Sequence, residues 1–205
     1  MSKFLSLMYV SLLMAQIVSA KISQDSINLP IDAEGKLTYQ GVVKVDSTMK
    51  KAELYRKARE WFVNMSADSK QVLQLDDKAE GQLIGKGSRK YSIQMRGAYG
   101  IAFYESIPNK FTVKIESKDG KYRYKIYDIS GESPAFSSLI STFLINYETD
   151  YKFYLTKVLP TLNTPYKKQY YKRNEQRLSG LDVEMKEIIS SLEKAMRSPL
   201  SKDDF

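Results

Sequence analysis

The chain has 205 residues, a net charge of +8, and neither histidine nor cysteine. A Ser-His-Asp triad, a Cys-His pair, a histidine-ligated zinc, a thiolate metal site and an imidazole switch near neutral pH are therefore excluded. Catalysis is left with carboxylates, lysines and tyrosines, which need strongly tuned surroundings, so the expectation is a non-enzymatic protein with no cofactor and no metal.

Residues 1–20 read as a signal peptide. Lys3 gives a basic start, FLSLMYVSLLMAQIV an apolar run, and Val18-Ser19-Ala20 a cleavage site before Lys21. The run is short against the roughly 20 apolar residues of a membrane span, so no stable span is expected after cleavage; a permanent anchor is the alternative. The expected address is exported, periplasmic or extracellular. Removing residues 1–20, with Lys3 among them, leaves 185 residues (205 minus 20) and +7, which fits one domain able to bury roughly 70% of its unfolded surface without disulfides. The excess charge favours anionic partners through an attraction that weakens with salt, and it equally serves solubility.

In chain order, Lys21 to Asn28 is a polar lead-in, and Leu37 to Val45 (LTYQGVVKV) predicts a first strand. Leu37, Tyr39, Gly41, Val43 and Val45 share one face of it. Asp46-Ser47-Thr48 offers N-cap side chains for a helix reaching Met65. Its apolar stripe is Ala52, Tyr55, Ala58 and Phe62, with Lys50, Lys51, Arg56, Lys57, Arg59 and Glu60 opposite. Trp61 reads as a packing anchor. Short strands follow at Gln71–Leu75 and Gly81–Gly87, with weaker ones at Tyr91–Met95 and Ile101–Glu105.

Phe111–Ser117 and Tyr122–Ile129 flank Asp119-Gly120, a type I′ hairpin signal. That loop sets Lys118 against Lys121, Glu116 against Arg123, Ile115 against Tyr124 and Val113 against Ile126. One face is apolar and the other charged, so the sheet is covered on one side only. Phe136, Leu139, Ile140, Phe143 and Tyr147 predict a helix, and Tyr151–Leu159 another. Thr164 to Arg177 (TPYKKQYYKRNEQR) is basic and aromatic. A final helix is expected from Gly180 to Arg197, capped by Ser179 and Asp182, with a stripe of Leu181, Met185, Ile188, Leu192 and Ala195.

Several blocks then carry a likeness: Leu29-Pro30-Ile31-Asp32 with Gly35-Lys36-Leu37-Thr38-Tyr39, Leu54-Tyr55 through Trp61, Leu75-Asp76-Asp77, Gly81 through Gly87, and Lys118 through Tyr124. From Leu29 to Asp128 the chain resembles domain-of-unknown-function family 4468, a family of exported bacterial proteins with a TBP-like fold. The resemblance implies an α+β fold, a TBP-like curved antiparallel sheet with helices packed on one face. It implies no activity and no catalytic residues, and it does not import nucleic-acid binding, which belongs to sites rather than folds. The domain plan is a signal peptide at 1–20, a TBP-like core at 29–130, a helical and basic-aromatic elaboration at 131–178, and a closing helix at 179–197.

Two clusters are candidate binding sites. Tyr166, Tyr170 and Tyr171, interleaved with Lys167, Lys168, Lys172 and Arg173, pair stacking surfaces with cations; a solvated connector is the plain alternative. Lys114, Arg123, Lys125 and Tyr127 lie on the charged hairpin face, which is otherwise an ordinary solvated sheet face. Gly81 to Ser88 is no phosphate loop, because only three residues separate Gly81 from Gly85, Gly87 follows Lys86, and strands flank it. Asp76 and Asp77 are adjacent in a strand, point to opposite faces, and read as a turn. The leading expectation is a domain contacting an envelope protein. A glycan- or anionic-polymer-binding module using the Tyr166 to Arg173 segment is second, and a carboxylate hydrolase with no assignable residue is third.

Overall fold

The computed structural model describes residues 26–65, 72–96, 102–133, 143–161 and 169–198. The signal segment, Phe136 to Ile140, and Tyr166 to Lys168 lie outside them. The elements are β1 (Tyr39–Lys44), α1 (Lys51–Met65), β2 (Val72–Asp77), β3 (Gln82–Arg96), β4 (Ala102–Lys118), β5 (Lys121–Ser133), β6 (Phe143–Ile145), α2 (Tyr147–Phe153) and α3 (Gln169–Arg197). All the strands form one antiparallel sheet in the order β1-β5-β4-β3-β2. Gly131 pairs with Asn109 of β4 on one side and Ile145 on the other, so β6 continues the β1 edge.

The hairpin register is the expected one, from Lys118↔Lys121 to Val113↔Ile126. Its turn is not type I′, which needs two left-handed residues. Only Gly120 is left-handed (φ 70°), while Asp119 is not. Asp119 instead accepts the N–H of Lys51 at 2.7 Å and so caps α1 from across the molecule. The expected local cap does something else: Asp46 Oδ1 accepts the N–H of Thr48 at 2.9 Å. The helix therefore starts at Lys51.

Strand length departs from expectation. Gly81–Gly87 and Tyr91–Met95 are one continuous β3, and Ile101–Glu105 and Phe111–Ser117 belong to one continuous β4. β4 and β5 fall out of step once, between Lys110↔Ser130 and Thr112↔Tyr127, which leaves an extra residue in β5. Asp128 lies in this bulge at φ 52°. Bulges bend and twist a strand locally; a second one, in β2 between Leu73 and Leu75, sits against Gly85 and Ile84.

The helices all pack on one face. Leu83, Val113, Ile115, Tyr122 and Ile126 of the sheet meet Leu54, Ala58 and Phe62 of α1 and Leu181, Met185, Ile188 and Leu192 of α3, all buried. Each such side chain contributes about 1.5–3 kcal/mol by leaving water. Trp61 is the anchor expected of it, buried with its indole N–H on Ser191 Oγ at 2.9 Å. Two positions of α1 exchange roles, since Ala52 is exposed and Lys57 is buried. The Lys57 ammonium donates to the carbonyl of Ser198 at 2.7 Å and to that of Met196 at 3.4 Å. It thus satisfies carbonyls left over at the C-terminus of α3.

The segment after β5 is rearranged. Phe143, expected in a helix, is in β6. α2 begins at Tyr147 with Asn146 as its N-cap and passes into a π turn (Tyr154–Val158) and a 3-10 turn (Leu159–Thr161). The lead-in is not wholly loose either: the N–H groups of Ile27 and Leu29 donate to the hydroxyls of Tyr154 and Tyr151, each at 3.1 Å. α3 starts at Gln169, not Gly180. The basic stretch from Gln169 to Arg177 is therefore helix rather than connector, and the boundary drawn at 178/179 falls inside it. Ser179 and Asp182 are interior to α3 and cap nothing; Asp182 accepts the Tyr39 hydroxyl at 3.1 Å.

Candidate binding surface

Alternation along the paired strands sends half of the sheet side chains away from the helices. On this face, helix-free among the described residues, stand Lys44 of β1, Lys121, Arg123 and Lys125 of β5, Lys110, Lys114 and Lys118 of β4, and Lys86 and Lys90 of β3. The acids sharing it are Glu116, Asp128, Glu132 and Asp77. Glu116 sits between two cations, 2.6 Å from Arg123 Nη2 and 3.3 Å from Lys114 Nζ. Partial burial works against its charge, but those two neighbours outweigh it and hold its carboxyl below the usual range. Lys110 pairs with Glu132, and Lys125 lies 5.4 Å from the centre of the Tyr127 ring. Lys44, Lys86, Lys90, Lys118 and Lys121 have no ion-pair partner among the described residues. Apolar groups are mixed in: Val42 is 62% exposed, Leu75 38% and Tyr104 72%.

The structure thus brings Lys114, Arg123, Lys125 and Tyr127 together, with Lys114 opposite Lys125 and Thr112 opposite Tyr127. Of the second cluster, Tyr166, Lys167 and Lys168 lie outside the described residues, while Tyr170, Tyr171, Lys172 and Arg173 occupy the start of α3. Lys86, Lys90 and Lys110 were not singled out from sequence. The available signal was the two-residue spacing of Lys86, Ser88 and Lys90, which becomes a stripe only once β3 is drawn as one strand.

A cleft of about 1490 Å³ follows β3. Lys86, Ser88, Lys90, Lys110 and Thr112 line it from the helix-free face, while Trp61, Asn64 and Met65 of α1 and Ser191 of α3 line it from the covered face. It therefore turns around the edge of the sheet.

Beneath the sheet, Asn109, Tyr147 and Glu184 form a buried polar cluster. The Tyr147 hydroxyl donates to Asn109 Oδ1 at 2.5 Å, the Asn109 amide donates to Glu184, and Glu184 Oε1 has no partner. Burial pushes the Glu184 carboxyl above the usual range, against the Asn109 hydrogen bond and the Arg89 charge. Asp76 and Asp77 behave as separate groups. Asp76 accepts the Tyr55 hydroxyl and, at 3.0 Å, Arg59 Nε; Asp77 accepts the N–H of Glu80 at 2.9 Å in the following turn. Among the described residues no group of three acidic or metal-ligating side chains has metal-site geometry, and no helix is long and apolar enough to cross a membrane.

Residues 39–131, covering the strands from β1 into β5 with α1, match the family model of a domain of unknown function (DUF4468) with TBP-like fold. That similarity spans 93 of the 205 residues (39 to 131). Two solved structures share its fold. A DUF4468 family protein from Bacteroides ovatus ATCC 8483 superposes with a TM-score of 0.59 at 14% identity, over 85% of this chain and 93% of that one. A TBP-like protein from Parabacteroides distasonis ATCC 8503 does so with a TM-score of 0.50 at 12% identity, over 80% and 97%. No curated protein matches the chain. The architecture is the expected α+β one, a curved antiparallel sheet with helices on one face.

Proposed function

We propose that this chain is an exported, non-enzymatic interaction domain whose helix-free sheet face docks an acidic partner protein of the cell envelope. The observation that supports this reading is the make-up of that face: five cations without ion-pair partners among the described residues (Lys44, Lys86, Lys90, Lys118 and Lys121), interspersed with Glu116 and with the exposed Val42, Leu75 and Tyr104. Apolar anchors among charges suit a patterned protein surface, whereas a uniform polyanion needs only the charge. Lys125 over Tyr127 is the feature that would serve a glycan instead.

Site-directed photo-cross-linking in cells tests it. A cross-linker at Val42 should trap an acidic protein; one at Val183, exposed on α3, should not. Lys121→Glu with Lys125→Glu should abolish the adduct. Equal trapping at both positions, or retention only on a sulfated-glycan matrix with elution by salt, would overturn the protein reading. N-terminal sequencing of the cell-derived chain tests export, with Lys21 the expected first residue.

A further inference from the structure

β2 and β3 are unequal. β2 pairs only with Gln82–Lys86, although β3 runs on to Arg96. No described strand pairs with β3 on that side from Gly87 onward. The Gln94 carbonyl accepts Gln176 Nε2 at 3.0 Å and so already has a partner. That leaves Gly87 to Ile93, about 23 Å of strand at ~3.3 Å per residue, as an edge among the described residues.

The cleft described above meets the first part of this stretch and extends over β4 to Asp128 and Ser130 of β5. Four consecutive residues, Gly87 to Lys90, line it, and Trp61 and Met65 form its far wall. Its volume of about 1490 Å³ exceeds the roughly 300–1,000 Å³ of small-molecule pockets. A second copy of this chain is a poor occupant, because antiparallel pairing would set Arg89 and Lys90 of one copy against those of the other. Basic residues on an edge discourage self-pairing, yet they suit an acidic strand. Lys86 and Lys90 have no ion-pair partner among the described residues.

We propose that an acidic, extended segment of the partner protein adds to β3 along Gly87–Ile93 as a further strand. This rests on the protein-partner reading above and narrows it from a face to an edge. Backbone hydrogen bonds would supply affinity, while Lys86, Arg89 and Lys90 would select charge.

The test uses displayed random 12-residue peptides selected on the purified protein. The expected winners are rich in Asp and Glu and free of Pro. In a synthetic winner, N-methylation of one alternate set of amides should weaken binding at least tenfold, and of the other set hardly at all. Lys90→Glu should weaken it severalfold, and amide exchange at Gly87–Ile93 should slow on binding. Neutral or basic winners would overturn the proposal. So would N-methylation that has no effect, or exchange unchanged along β3. Acidic winners that are insensitive to N-methylation but lost in Lys121→Glu/Lys125→Glu would sink the edge and leave the face standing; no enrichment would sink both.

Discussion

The ring of Phe62 fills the space that a β-carbon on Gly85 would occupy. Phe62 is 1% exposed and hemmed in by the core, so it has nowhere to retreat. Gly85→Ala should therefore destabilise the fold by about 1–3 kcal/mol, the usual range for overpacking. Phe62→Ala alone should lose about 3–5 kcal/mol. Adding Gly85→Ala to it should then be nearly free. Denaturant titrations of the four proteins measure this coupling; equal penalties for Gly85→Ala in both backgrounds would refute the ring-on-glycine explanation.

Glu184 gives stability a pH dependence of known sign. Burial raises its folded-state carboxyl above the ordinary value of 4.5, so between the two values the folded state binds more protons than the unfolded one. Its contribution is intact below the unfolded value and is lost as pH rises toward and through the folded one. Glu184→Gln keeps an acceptor for Asn109 and carries no charge. The variant should gain on the wild type as pH rises from about 5 to 8, by at most ~1.4 kcal/mol per pH unit. Parallel stability curves for the two proteins would remove Glu184 as the source.

Lys57 ties the middle of α1 to the C-terminal end of α3. Its ammonium meets the carbonyls of Met196 and Ser198 from within the core. Lys57→Met keeps the aliphatic bulk and abandons those carbonyls, which should lose roughly 1.5–3 kcal/mol. Proteolysis near Met196 should accelerate in step. A variant of wild-type stability would show that water replaces the ammonium without penalty.

Asp119 makes the hairpin turn a cap for α1. Asp119→Ala should lose about 0.5–2 kcal/mol and Asp119→Asn less, because asparagine also caps. Asp46→Ala, which removes only a local turn bond, should have a smaller effect than Asp119→Ala. The reverse ranking in thermal melts would restore Asp46 as the cap.

What could be read from the residues was local. Asp119-Gly120 with its flanking alternation set the β4–β5 register, and the three-and-four spacing of Leu181, Met185, Ile188 and Leu192 set the buried stripe of α3. The continuity of β3 and β4 was hidden because their helix-facing positions there are polar. Arg89, Asn109 and Glu105 interrupt the apolar alternation that marks a strand. Their partners are distant in sequence: Glu187 stands 3.9 Å from Arg89, Glu184 accepts from Asn109, and Arg177 lies 2.8 Å from Glu105. The stripe of Lys86 and Lys90 was hidden with them. Lys57 is similar, since nothing near it in the sequence announces two carbonyls more than a hundred residues away.

The bulge at Asp128 works as a splice between two phases of one strand. Before it, even-numbered residues of β5, Tyr122, Tyr124 and Ile126, face the helices; after it, the odd-numbered Ile129 and Gly131 do. Gly131 must face inward, since Tyr147 Oη would come within 2.6 Å of any β-carbon there. Deleting the single residue Asp128 would close the bulge and let Tyr127 run straight into Ile129, with Ser130 still opposite Lys110 and Gly131 still opposite Asn109. What would go is the local bend and twist that the extra residue brings. Asp128 is therefore the place where β5 can shorten by one residue without moving its ladder or the pairing with β6.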